Sequence, residues 1–126
     1  MRKAVFLLLS IFLVNVAQAG NYEGYVLYHK LLEKAQGHIK FHRGFKNNIT
    51  YGQAQNFIGY VAGAIDAAEE GNSPYCIPYE KNTIELATEF ASYLTLNKTE
   101  LSKTGLKGTI LVRWFLDEKY KCEQEN

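Results

Sequence analysis

Apolar residues in this chain recur at intervals of three and four, the period of a helix that turns one face inward. Tyr25, Tyr28, Leu31, Leu32 and Ala35 keep that spacing and predict a first amphipathic helix from Glu23 to Gln36, closed by Gly37. Ala54, Phe57, Ile58, Val61, Ile65 and Ala68 keep it more strictly. They predict a second helix from Thr50 to Glu70, stopped by the breaker cluster Gly71-Asn72-Ser73-Pro74. Asn82 followed by Glu85 has the spacing of a capping pair, so a third helix starts there and buries Ile84, Ala87, Phe90, Ala91 and Leu94. After the polar stretch Thr95 to Lys103, a last helix runs from about Thr104 to Tyr120 with Leu106, Ile110, Leu111, Trp114 and Phe115 inward. No alternating strand pattern, internal repeat or low-complexity segment competes. The expected fold is all-α, a small bundle of about four helices.

Ahead of these helices, Arg2 and Lys3 precede the uncharged apolar run Ala4 to Val14, and Ala17 and Ala19 flank Gln18. This is the pattern of a secretory signal peptide cut after Ala19. A membrane anchor needs about 20 apolar residues, more than the run supplies. The expected organisation is a signal peptide over 1–19 and one domain over 20–126, exported to the periplasm. Export changes the meaning of the two cysteines, Cys76 and Cys122: in an oxidising compartment they are expected to form a disulfide that ties the bundle together. The alternative makes Cys76 a nucleophile paired with a histidine, but Pro74-Tyr75-Cys76-Ile77-Pro78 is rigid and apolar and offers no neighbouring base. Losing Arg2 and Lys3 turns 14 basic against 13 acidic residues into a net charge of about −1, which gives no reason to expect nucleic acid as a partner. Neither stable membrane insertion, nor a cofactor, nor a metal is expected.

Two features call for a chemical reading. In the second predicted helix, Gly59 and Gly63 stand one turn apart, each costing about 1 kcal/mol relative to alanine. Their placement predicts a flat groove where another helix or a bulky aromatic approaches closely. The polar tips of Tyr60 and Asp66 would border it as structural hydrogen-bonding groups. The segment His38 to Asn48 interleaves Lys40, Arg43 and Lys46 with Phe41 and Phe45, and reads as a basic, partly apolar connection. His38 and His42 are four apart and would share one face of a helix, as a zinc pair does. No third ligand accompanies them, and Gly37 and Gly44 argue against a helix, so a solvated basic loop is expected.

The signal peptide, Gly59-Tyr60 with Gly63 and Asp66 on a helix, the Cys-x-Pro step of Cys76 and Pro78, a helix ending in Tyr93-Leu94 and a last helix closing on Cys122 together resemble the Rap/Tai family of type VI secretion immunity proteins. The likeness covers Thr50 to Cys122. It implies structural roles for Gly59, Tyr60, Gly63, Asp66 and Pro78. It also implies a periplasmic protein, not itself an enzyme, that binds a peptidoglycan-cleaving amidase and blocks its cysteine–histidine site. The partner is then a protein, the cognate toxin effector, and the scaffold leaves room for a homodimer. Family members often carry a second cysteine pair, joining the first helix to the residue two before the Gly-Tyr. That position is Phe57 here, and packing of Phe57 against Leu31 or Leu32 is expected in its place. Two segments are candidates to enter the amidase cleft: Lys40 to Lys46, with Arg43, and Gly71 to Tyr79. The second is favoured, because Pro74, Pro78 and the disulfide would hold Tyr75 and Tyr79 in a restricted geometry. The rival is a small periplasmic housekeeping binding protein on the same helical scaffold.

Overall fold

The computed structural model describes residues 26–70 and 75–123. The expected signal peptide, the start of the first predicted helix and the breaker cluster Gly71 to Pro74 lie outside them. Five helices follow in order: α1 (Tyr28–His42), α2 (Asn48–Glu70), α3 (Thr83–Leu96), the single turn α4 (Lys98–Leu101) and α5 (Gly108–Lys119). Among the described residues the only pairings of extended backbone are two isolated antiparallel bridges, Leu27 with Lys107 and Tyr75 with Lys121. Cys76 and Cys122 are joined, with Cα atoms 5.0 Å apart. The fold is a small all-α, disulfide-bonded bundle.

The α1–α2 junction departs from expectation. Gly37 does not end the first helix; it lies buried inside α1 because the side chain of Gln53 occupies the space a Cβ would need. A glycine is kept there for close approach of two helices, so α1 continues to His42 and the segment read as a basic loop is largely helical. The true stop is Gly44, at φ 106°. Phe45 N–H donates to the Lys40 carbonyl (3.0 Å) and Gly44 N–H to that of Phe41 (3.1 Å), the paired bonds of a left-handed helix terminus. Three residues later α2 opens on a reciprocal cap. Thr50 N–H donates to Asn47 Oδ1 (2.9 Å), Asn47 N–H donates to Thr50 Oγ1 (3.0 Å), and the Thr50 hydroxyl donates to the Phe45 carbonyl (2.6 Å). The turn is short because both of its ends are satisfied locally.

Rings from each long helix meet in the core. His38 of α1 lies 5.4 Å from Phe57 of α2, Phe57 stacks 5.9 Å from Phe90 of α3, and Phe90 lies 5.3 Å from Phe115 of α5. Leu31, Ala35, Val61, Ala87, Leu94, Leu111 and Leu116 fill the space around them. The ring neighbours of Phe57 are thus His38 and Phe90, and Leu31 and Leu32 belong to the same buried cluster. Tyr28 is buried with its hydroxyl donating to the Leu94 carbonyl (2.8 Å), which satisfies one of the acceptors left open at the end of α3. The α3 cap is as predicted: Asn82 Oδ1 accepts from Glu85 N–H (2.8 Å). Two inward assignments fail. Ile84 and Trp114 are exposed, and Leu86 on α3 and Val112 and Leu116 on α5 take the core positions.

The glycine groove is also corrected. Gly59 and Gly63 lie on the exposed side of α2, with open space where each Cβ would stand. The close approach occurs instead at Gly108, the first residue of α5, where the Tyr60 hydroxyl and the Leu31 side chain fill the Cβ position. Tyr60 is therefore a packing residue, half-buried against the start of α5, and Asp66 is exposed near the end of α2.

Candidate functional site

Two surfaces gather the residues singled out in the sequence. The first is the segment from Tyr75 to Lys81, which lies against α5 and α3. Cys76 is bonded to Cys122, and Cys76 N–H donates to the Tyr120 carbonyl (2.7 Å). The Tyr75 hydroxyl donates to Asp117 Oδ1 (2.8 Å), while its ring packs on the core. Partial burial and the Asp117 carboxylate together hold the Tyr75 phenol above its ordinary range. Further along, Lys81 N–H donates to the Pro78 carbonyl (3.0 Å), closing a turn around Tyr79. The Lys81 ammonium pairs with Glu89 Oε1 (2.6 Å), and the Tyr120 hydroxyl donates to the other oxygen of the same carboxylate. Burial pushes the Glu89 carboxyl up, but these two donors prevail and hold it below its usual value.

The outcome differs for the two tyrosines. Tyr75 is consumed in structure, with both ring and hydroxyl engaged. Tyr79 is 101% exposed, at the tip of the turn that Pro78 and Lys81 close. Pro78 itself is exposed and acts through its backbone carbonyl.

The second surface is the α1–α2 corner. Phe45 and Ile49 are 69% and 72% exposed, Tyr51 is also exposed, and Phe41 meets Tyr51 edge to face at 5.7 Å. Lys40, Arg43 and Lys46 are exposed on the same segment, with the Lys46 ammonium over the Phe41 ring at 5.4 Å. On the α3 side the corner runs into a groove of about 500 Å³, where Ile39, Lys40 and Arg43 face Thr95 and the exposed Leu96. Sequence reasoning found the cations and Phe45 but missed Ile49 and Leu96. Ile49 falls off the buried stripe of α2 while being strongly apolar, and that mismatch was the available signal.

His38 and His42 do share a helix face, with ring centroids 4.4 Å apart. His38 is fully buried, whereas His42 is exposed. The single proton of the Thr88 hydroxyl goes to the Ile84 carbonyl (2.8 Å), so His38 Nε2 is the donor in its 2.9 Å contact with Thr88 Oγ1. That leaves Nδ1 as a buried lone pair with no partner among the described residues. Burial, reinforced by the nearby His42, lowers the His38 pKa to about 4. Among the described residues no three His, Cys, Asp or Glu side chains converge as a metal site requires. The pair thus serves as part of the core and its rim.

No family model, no curated protein and no solved structure matches this chain.

Proposed function

We propose that this protein acts by binding another protein: an exported inhibitor that occludes the cleft of a peptidoglycan amidase, as the likeness to the immunity proteins implies. Tyr79 is the observation that carries this reading. A wholly exposed tyrosine stands on a segment held by a disulfide, a backbone bridge and a closed turn. Such a side chain offers a large contact area, and its mount has little freedom left to lose on binding. The apolar, disulfide-bonded core supports the same reading, because an inhibitor needs a rigid scaffold.

The test pairs the protein with candidate exported peptidoglycan amidases, through co-purification and a peptidoglycan-hydrolysis assay. Wild-type protein should co-elute with the enzyme and stop hydrolysis. Tyr79→Ala should weaken inhibition about tenfold, a loss of about 1.4 kcal/mol, with the melting temperature unchanged. Tyr75→Ala should instead lower the melting temperature, since its ring and hydroxyl are used within the fold. An active amidase in the presence of excess wild-type protein would overturn the reading, and full inhibition by Tyr79→Ala would remove Tyr79 from the interface.

A further inference from the structure

We propose that the α1–α2 corner is a docking surface for an anionic lipid bilayer, independent of the inhibitor reading above. The first ground is exposure. Phe45 lies on the turn and Ile49 in the first turn of α2, and each is about seven-tenths exposed, so neither side chain is used by the fold. The second is rigidity. Two helix-end hydrogen bonds and the Asn47–Thr50 cap fix the turn on both sides, so Phe45 is held outward by its backbone. In helix ends of this kind the residue after the glycine often folds back on an apolar neighbour. Here the facing position is Lys40, which offers none.

The third ground is charge. Lys34, Lys40, Arg43 and Lys46 lie in the interval between Glu33 and Asp66, which contains no acidic residue, although the whole chain is almost balanced. Among the described residues the one ion pair joins Lys81 to Glu89, away from this interval, so Lys40 and Arg43 have no carboxylate partner there. Exposed apolar side chains on a stretch of chain that also carries exposed long cationic side chains match the interfacial region of a bilayer. The apolar side chains enter the boundary between headgroups and acyl chains while the ammonium and guanidinium groups meet the phosphates. Each cation near an anionic surface strengthens binding about fivefold. A neutral surface supplies the apolar part alone, which two side chains make weak.

Protein recovered from cells expressing the full chain, with its mass measured so that the residues present are known, is sedimented with sucrose-loaded vesicles. One set is an equimolar phosphatidylcholine–phosphatidylglycerol mixture and the other is phosphatidylcholine alone. Binding should be confined to the charged vesicles and should fall as salt is raised. Phe45→Glu with Ile49→Glu should abolish it, while Lys40→Gln, Arg43→Gln and Lys46→Gln should each reduce it about fivefold. All these positions are exposed, and unchanged circular dichroism melts would show that the fold is intact. Equal binding to both vesicle sets, or no binding to the charged set at low salt, overturns the proposal. In the second case, failure of the Phe45→Glu, Ile49→Glu protein to capture the amidase would assign the corner to a protein partner instead.

Discussion

Acidification should weaken this fold through one residue. His38 is buried and neutral, and its pKa of about 4 lies well below the ordinary 6.5 that it regains on unfolding. The unfolded chain therefore binds the proton first, so the contribution of His38 to stability is complete above about pH 6.5 and drains away as pH falls toward 4. Protonation would place an N–H at Nδ1, where the folded protein offers no acceptor among the described residues. Between about pH 7 and 5 the shift corresponds to a loss of about 2 kcal/mol. The exposed His42 ring brings water within reach, which reduces the figure to about 1–2 kcal/mol. For a domain of this size that is a fall of about 5–10 °C in melting temperature. This window precedes the titration of Glu89, whose lowered pKa adds its own loss only at lower pH. Thermal melts at the two pH values, repeated on His38→Leu, provide the assay. Leucine removes the unpaired nitrogen and leaves the Thr88 hydroxyl bonded to Ile84. The variant should lose most of the dependence in this interval. A His38 ring resonance that titrates near 6.5, or a wild-type melt unchanged across the interval, would refute the reasoning.

Three further outcomes follow from the packing. Gly63→Ala should stabilise the protein by about 0.5–1 kcal/mol in urea melts, since open space surrounds the position and the helix gains propensity; a loss would mean that something covers this face. Gly108→Ala should cost about 1–3 kcal/mol by the same measurement, because Tyr60 and Leu31 must give way. Reduction, or Cys76→Ala with Cys122→Ala, should cost about 4 kcal/mol for a cross-link spanning 46 positions, seen as a lower melting temperature with an unchanged helical spectrum at low temperature.

Long regular stripes were legible in the sequence, and residues answering to unseen neighbours were not. Ala54, Phe57, Val61, Ile65 and Ala68 announce α2 because about four turns of consistent spacing leave one face for the core. Asn82 and Glu85 announce the start of α3 because their reciprocal bonds need only local chain. Gly37 misled because a glycine that ends a helix and one that admits a neighbour look alike until Gln53 is in place. For the same reason Gly59 and Gly63 were taken for a contact that Gly37 and Gly108 make. On the short α5, residues 110, 111, 114 and 115 and residues 111, 112, 115 and 116 form two equally apolar stripes, and only packing against α2 and α3 chose the second, turning Trp114 outward. The disulfide was legible from the cysteine count and the expected export. That Tyr75 would be tied down and Tyr79 left free depended on Asp117, a residue 42 positions away.

The fastening of α5 bears on how the chain folds and opens. Contacts between α1 and α2 link neighbouring segments across a short turn, so this pair can assemble early, whereas α1–α3 contacts such as Tyr28 with Leu94 span 66 positions. Helix α5 is latched at both ends by pieces of chain far away in sequence. At its start Gly108 N–H donates to the Val26 carbonyl (2.8 Å), and beyond its end Cys122 is bonded to Cys76. Both fastenings join residues far apart in sequence, so docking of α5 closes long loops and carries their entropy cost. Once oxidised, the C-terminal latch confines an undocked α5 to the neighbourhood of its seat. Brief openings then end in reclosure instead of global unfolding, and the thiol chemistry of the compartment sets how long the molecule survives as well as how stable it is.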